Sequence, residues 1–244
     1  MIIEPFALER YFAKHEFSAK FLLSSSDCES LSMKTLLSMA DDQSLALWND
    51  LKLGYTESQG HSLLREEIAR LYSEINHEEV VLCVPEEGIF LLMHAILKPG
   101  DHIITTFPGY QSLYQVATFL GCRVTKWEPD ESVGWKFDLE NLKSDLRPNT
   151  KLIVVNFPHN PTGYVPSLEE YFALIELARQ REIYLFSDEM YRFLEINEET
   201  RLPSACDLYN RAISLFGMSK TFGLPGLRIG WLSSKDLDTL GRVI

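Results

Sequence analysis

The sequence predicts an α/β protein, with a mostly parallel sheet covered on both faces by helices in three layers. Three observations predict it. From about residue 79 onward, short apolar runs rich in β-formers alternate with amphipathic helical windows. The stretches between successive runs are long enough for the crossover connections that parallel pairing requires. Polar residues with chemical potential recur just past the C-terminal ends of those runs, where open α/β sheets bind ligands.

The first 75 residues are helical windows. Pro5–His15, Leu31–Met39 and Gly60–Ile75 carry the spacing, with Arg65, Glu66, Glu67 and Arg70 expected on the exposed face of the third. Glu79–Val84 then reads as a buried strand. A helix follows over Glu86–Leu97, stopped by Pro99-Gly100. His102–Thr105 is the next strand, with a helix from about Ser112 to Leu120. Cys122–Trp127 and Lys151–Phe157 are further strands. Leu168–Arg181 repeats Leu168, Phe172, Ile175 and Ala178 on one helical face. Ile183–Ser187, Ala212–Phe216 and Arg228–Leu232 complete the strands, and a last helix begins near Asp236.

Composition excludes several classes. At 244 residues, 45% hydrophobic and 24% charged, the chain can bury a full core. Its 23 basic and 35 acidic side chains leave a formal charge of −12, which argues against nucleic acid or an anionic membrane as partner. Cys28, Cys83, Cys122 and Cys206 form no CxxC pair and share no ligand spacing with the six histidines, so a metal centre is not expected. Cys83 and Cys122 lie in apolar runs and are expected to be buried thiols. Met1-Ile2-Ile3-Glu4-Pro5 has no basic region leading into a long apolar stretch, and no run approaches membrane-span length. A cytoplasmic protein is expected.

Chemistry concentrates in one run, Gly217-Met218-Ser219-Lys220-Thr221-Phe222-Gly223-Leu224-Pro225-Gly226-Leu227-Arg228-Ile229-Gly230. It sets a lone amine beside a hydroxyl on a glycine-rich turn, eight residues before an arginine. An amine that forms a Schiff base needs such a setting, with donors and a cation for an attached phosphate. Upstream lie Asn160-Pro161-Thr162-Gly163, by itself a common turn sequence, and Ser187-Asp188-Glu189-Met190-Tyr191.

Together the three segments resemble the class I/II aminotransferases, from near residue 20 to the end of the chain. The resemblance implies pyridoxal 5′-phosphate (PLP) as cofactor, and amino acid and 2-oxo acid as substrates. It divides the chain into an arm and part of a small domain (1–50) and a cofactor-binding large domain (51–244). Lys220 would be the Schiff-base lysine that also shuttles the substrate α-proton. Arg228 and Ser219 would hold the phosphate. The family often places a second hydroxyl two residues before that serine. Here Gly217 stands there, implying one phosphate contact fewer. Asp188 would pair with the protonated ring nitrogen, and Tyr191 and Asn160 would share the ring oxygen. The Asn160-Pro161 bond is often cis in the family.

An aromatic just past the second strand would stack on the ring, Phe107 as first choice and Tyr110 as second. Val84-Pro85-Glu86-Glu87-Gly88 occupies the place of the family's phosphate loop. Pro85 offers no N–H, so the backbone amides of Glu86 and Glu87 would serve, their carboxylates turned to solvent. Tyr55 either reaches the phosphate of a neighbouring subunit, making the active unit a homodimer, or is a buried turn tyrosine. Ser24-Ser25-Ser26-Asp27 is a candidate substrate contact. The chain ends at Gly241-Arg242-Val243-Ile244, before the family's C-terminal domain, so the arginine that clamps the substrate carboxylate is expected to be absent. Alternatives to transamination are a PLP lyase or cyclase on the same scaffold, or a cofactor-binding remnant without turnover.

Overall fold

The computed structural model describes residues 3–244. Helices α1 (Ala7–His15), α2 (Met33–Ser38), α3 (Asp42–Asn49) and α4 (Ser62–Ala69) precede the sheet. The sheet strands are β1 (Val80–Cys83), β2 (His102–Thr106), β3 (Arg123–Trp127), β4 (Thr150–Asn156), β5 (Tyr184–Asp188), β6 (Ala212–Gly217) and β7 (Gly230–Ser233). Between and after them come α5 (Pro85–Ile96), α6 (Ser112–Phe119), α7 (Leu139–Asp145), α8 (Leu168–Gln180), α9 (Ala205–Leu208) and α10 (Leu237–Gly241).

The seven strands lie in the order β1-β7-β6-β5-β4-β2-β3. Pairings of β2 through β6 are parallel, each served by an intervening connection of crossover length. Only β7 runs the other way, antiparallel to both β6 and β1. Residues 218–229 join β6 to β7 with no helix long enough to cross a sheet face, so the chain turns straight back.

The period-2 alternation of the strands divides the core. Ile103, Leu152, Val154, Phe186, Ile213 and Leu215 face α5, α6 and α10. Their immediate neighbours Ile104, Ile153, Val155, Leu185 and Ala212 face α7 and α8. Both faces of the central strands are therefore dry, as parallel sheets require.

Several expectations need correction. The window at 60–75 is helical only over α4. Beyond it the amides of Ser73 and Glu74 donate to the Asp207 carboxylate at 3.2 and 2.9 Å, which replaces the helical ladder with a tertiary acceptor. Arg65 is buried, not exposed. It donates to Gly60 O, Gln59 Oε1 and His77 O, each at 3.0 Å. Helices α3 and α7 were not expected. Each opens on an aspartate N-cap, Asp41 accepting from Ser44 N at 2.7 Å and Asp138 from Glu140 N at 2.9 Å. Cys83 and Cys122 are half-buried and Cys206 is the buried thiol. Burial pushes the Cys83 thiol up to about 12, which makes it inert rather than reactive. No described helix is long and apolar enough to cross a membrane.

Candidate active site

A cleft of about 480 Å³ opens at the C-terminal ends of β4, β5 and β6. The strand register builds its floor. Asn156 ends β4 opposite Asp188, which ends β5 and pairs in turn with Leu215 of β6. Lys220 and Ser219 follow β6 on the turn that leads to Arg228, and all three line the cleft with Asn160, Tyr191 and Tyr110.

Asp188 is 4% exposed. One carboxylate oxygen accepts from Met190 N at 3.1 Å, and no cation stands within ion-pair distance among the described residues. Burial pushes its carboxyl up to about 7. The Glu189 and Glu86 charges add to the rise, while the Met190 N–H and Lys220 oppose it. A buried carboxylate facing a cavity without a counter-ion fits a cationic partner entering from that cavity.

A hydrogen-bond chain crosses the cleft. Asn156 Oδ1 accepts from Asn160 N at 2.8 Å, which fixes the Asn160 backbone beyond a cis Asn160-Pro161 bond. Asn160 Nδ2 donates to the Tyr191 hydroxyl at 3.1 Å, and that hydroxyl donates to Ser26 Oγ at 2.9 Å. Lys220 Nζ donates to the same Ser26 Oγ at 3.2 Å and forms an ion pair with Asp27.

The cleft wall formed by residues 84–88 is built differently from the expected loop. Gly217 and Gly230 pair across β6 and β7, and the Pro85 ring lies over both. A Cβ on Gly230 would meet Pro85 Cγ at 2.7 Å, and one on Gly217 would meet it at 3.2 Å. A side chain at position 217 would be crowded by the Gly230 Cα and the Ile229 carbonyl, each at 3.1 Å, as well as by Pro85. The two acidic side chains are not both turned to solvent. Glu87 reaches back to accept from Val84 N at 3.3 Å, capping α5. Glu86 lines the cleft and accepts from the Ser112 hydroxyl. The first-turn amides of Glu86 and Glu87 have no acceptor within α5, as at any helix start. Arg228 sits in the left-handed region at φ 55 on the cleft rim, one Nη donating to Pro225 O at 3.1 Å.

Two aromatic expectations separate here. Phe107 stands outside the cleft, with Lys126 Nζ 3.7 Å from its ring centroid and Tyr114 against its edge. Tyr110 is the aromatic on the cleft wall, where burial and the Glu86 carboxylate raise its hydroxyl well above the usual range. Tyr55 is fully exposed and away from the cleft, so it is not a buried turn tyrosine.

A donor set of buried carboxylate, amine, hydroxyls and guanidinium fits a planar cationic ring bearing an anionic group. The class I and II aminotransferase family matches residues 18–244. The chain belongs to that family. It is 32% identical over 193 residues to the aspartate aminotransferase of Sulfurisphaera tokodaii, covering 75% of this chain and 48% of that protein. It is 33% identical over 186 residues to the aspartate/prephenate aminotransferase of Thermus thermophilus, covering 74% and 48%. The fold superposes on a PLP-dependent aminotransferase from Streptococcus suis with a TM-score of 0.91 and 31% identity, over 100% of this chain and 65% of that one. The chain spans about half the length of the curated relatives it matches.

One residue of this aminotransferase-family cleft, Asn156, escaped the sequence reading, and two others, Ser26 and Asp27, were expected as a substrate contact and not as partners of Lys220. Asn156 is a polar residue closing an apolar strand, a signal available beforehand. Ser26 and Asp27 were visible only as part of a serine-rich run, because their approach to Lys220 spans 194 and 193 positions of sequence.

Proposed function

We propose that the protein is a PLP-dependent aminotransferase, moving an amino group between an amino acid and a 2-oxo acid. The observation that carries this is the convergence of Lys220, Asp188, Tyr191, Asn160 and Arg228 on one cleft. Bound PLP supplies an electron sink for charge left at the substrate Cα.

The residues divide the remaining work. Asp188 holds the ring nitrogen protonated, its own desolvation relieved by that cation. Asn160 and Tyr191 orient the ring oxygen. Lys220 is the attachment point and moves the proton at the substrate Cα. Arg228, Ser219 and the free amides of Glu86 and Glu87 hold the phosphate, the guanidinium contributing the charge-assisted contact. Tyr110, rather than Phe107, covers the ring face. Residues 1–50 act as the arm and 51–244 as the cofactor-binding domain. Tyr55, exposed in one protomer, serves the cleft of a second copy in a homodimer.

The test is the release of a 2-oxo acid from added amino acid by the PLP-loaded protein, followed by restoration of the starting spectrum with a second 2-oxo acid. Release without restoration, or elimination products with unchanged cofactor, argues for a lyase instead.

A further inference from the structure

We propose that the segment Ser25–Asp27 is a placeholder for the cofactor, engaging polar groups of the cleft that PLP would take and leaving when PLP enters. The proposal rests on the reading of the cleft as a PLP site. It goes beyond that reading by assigning Ser26 and Asp27 a part in loading.

The geometry is specific. Tyr191 and Asn160, proposed to share one oxygen of the ring, pass their hydrogen bonds in series to Ser26 Oγ. Lys220 donates to that same oxygen and pairs with Asp27. A single serine hydroxyl therefore accepts from both Tyr191 and Lys220, the hydroxyl proposed for the ring oxygen and the amine proposed for attachment. Two of the groups that would hold and attach the cofactor, Tyr191 and Lys220, are engaged directly by two adjacent side chains of the N-terminal segment, and Asn160 is engaged through Tyr191.

The segment is moored to the turn that carries Lys220. Leu31 N donates to Gly223 O at 3.0 Å, and Gly223 N donates to Lys220 O at 3.1 Å. The Glu29 carbonyl runs directly over Gly223, where a Cβ would meet it at 2.8 Å. The mooring contacts of Glu29 and Leu31 with Gly223 do not involve the Ser26 and Asp27 side chains, so these can swing away while residues 29–31, with Ser30 on the cleft edge, stay in place.

Loading removes what holds them. The Lys220 ammonium first gives a proton to solvent. Its amine then condenses with an aldehyde, a C=N bond replacing the C=O bond and water leaving. A nitrogen so bonded carries at most one N–H, so it can no longer donate to Ser26 and pair with Asp27 together. The closed segment lowers the fraction of chains competent to bind, so weakening it tightens apparent affinity.

The experiment compares the full chain with Ser26→Ala and Asp27→Ala. PLP is titrated by absorbance, the adduct is fixed with borohydride, and labelled peptides are mapped. Cys28, half-buried and next to Asp27, reports the segment through its alkylation rate with and without PLP. Each variant is expected to bind PLP more tightly, by about fivefold or more, since Ser26→Ala removes the two hydrogen bonds that Ser26 accepts and Asp27→Ala removes the ion pair with Lys220. Cys28 of the unaltered chain should alkylate severalfold faster once PLP is bound. Equal or weaker binding by both variants, or Cys28 protected by PLP, overturns the placeholder while leaving the cleft reading intact. No uptake by any of the three proteins overturns both. Uptake by the variants alone supports both.

Discussion

Asn156 and Asp188 stand side by side at the ends of β4 and β5, and the Asn156 side-chain amide donates to the Asp188 backbone carbonyl at 3.0 Å. The same Asn156 side chain accepts from Asn160 N. One buried amide thus fixes both the strand end that presents Asp188 and the loop that presents Asn160. Its removal leaves buried polar groups unpaired at two places.

Asn156→Leu is therefore expected to cost about 2 kcal/mol of stability. It should also weaken PLP binding, although Asn156 is not itself assigned a cofactor contact. Urea unfolding and PLP titration of the same variant check the two effects together.

Asp188 makes stability depend on pH. An unfolded aspartate titrates near 4, whereas burial holds Asp188 up to about 7 in the fold without cofactor. The folded chain binds this proton more tightly than the unfolded one, so the contribution is fully present below the unfolded value. It is lost as pH rises through the folded value. The melting temperature of the cofactor-free protein should fall by several degrees between about pH 5 and pH 8, and Asp188→Asn should flatten the fall. With PLP, the same variant should retain some binding but lose on the order of a hundredfold or more in release of 2-oxo acid. Melting curves at the two pH values and a single-turnover assay are the measurements.

The Pro85 ring and the Gly217–Gly230 pair are fitted to each other. Gly230→Ala should destabilise by about 1–3 kcal/mol through overpacking, because its Cβ also meets Phe216 O at 2.9 Å. Pro85→Ala in the same chain should recover part of the loss. A double-mutant cycle by chemical denaturation gives the coupling, and strict additivity would contradict the proposed contact.

Arg228 is the guanidinium that lines the cleft, at the end proposed to hold the phosphate. Arg228→Ala should weaken PLP about ten- to a hundredfold, the range for losing charge-assisted hydrogen bonds. It should not alter binding of pyridoxal, which lacks the phosphate. Parallel titrations with the two ligands check this.

The fold was legible in the sequence because period-2 runs and their helical spacers are local signals. The strands that end at the cleft, β4, β5 and β6, match their predicted runs to within a residue or two. The placing of Lys220, Asp188, Asn160 and Tyr191 at or a few residues past the ends of recognisable strands, and of Arg228 on the turn before β7, was legible too, whereas the roles proposed for them come from the family resemblance. What was not legible depends on tertiary partners. Arg65 looks like one charge among four on a helix, and only the carbonyls of Gly60 and His77 make it a buried residue. Phe107 and Tyr110 are three positions apart in one turn, and sequence cannot say which ring turns inward. The Glu86 carboxylate was expected to face solvent, yet the Ser112 hydroxyl 26 positions away holds it at the cleft.

The central claim is that Lys220 is the residue to which PLP attaches. The most direct measurement is borohydride reduction of the PLP-treated protein followed by peptide mass mapping, with Lys220→Ala run beside it. One pyridoxyl group is expected, on Lys220, and none in the variant. A label on another lysine with Lys220 unmodified, or equal labelling of the variant, would contradict it.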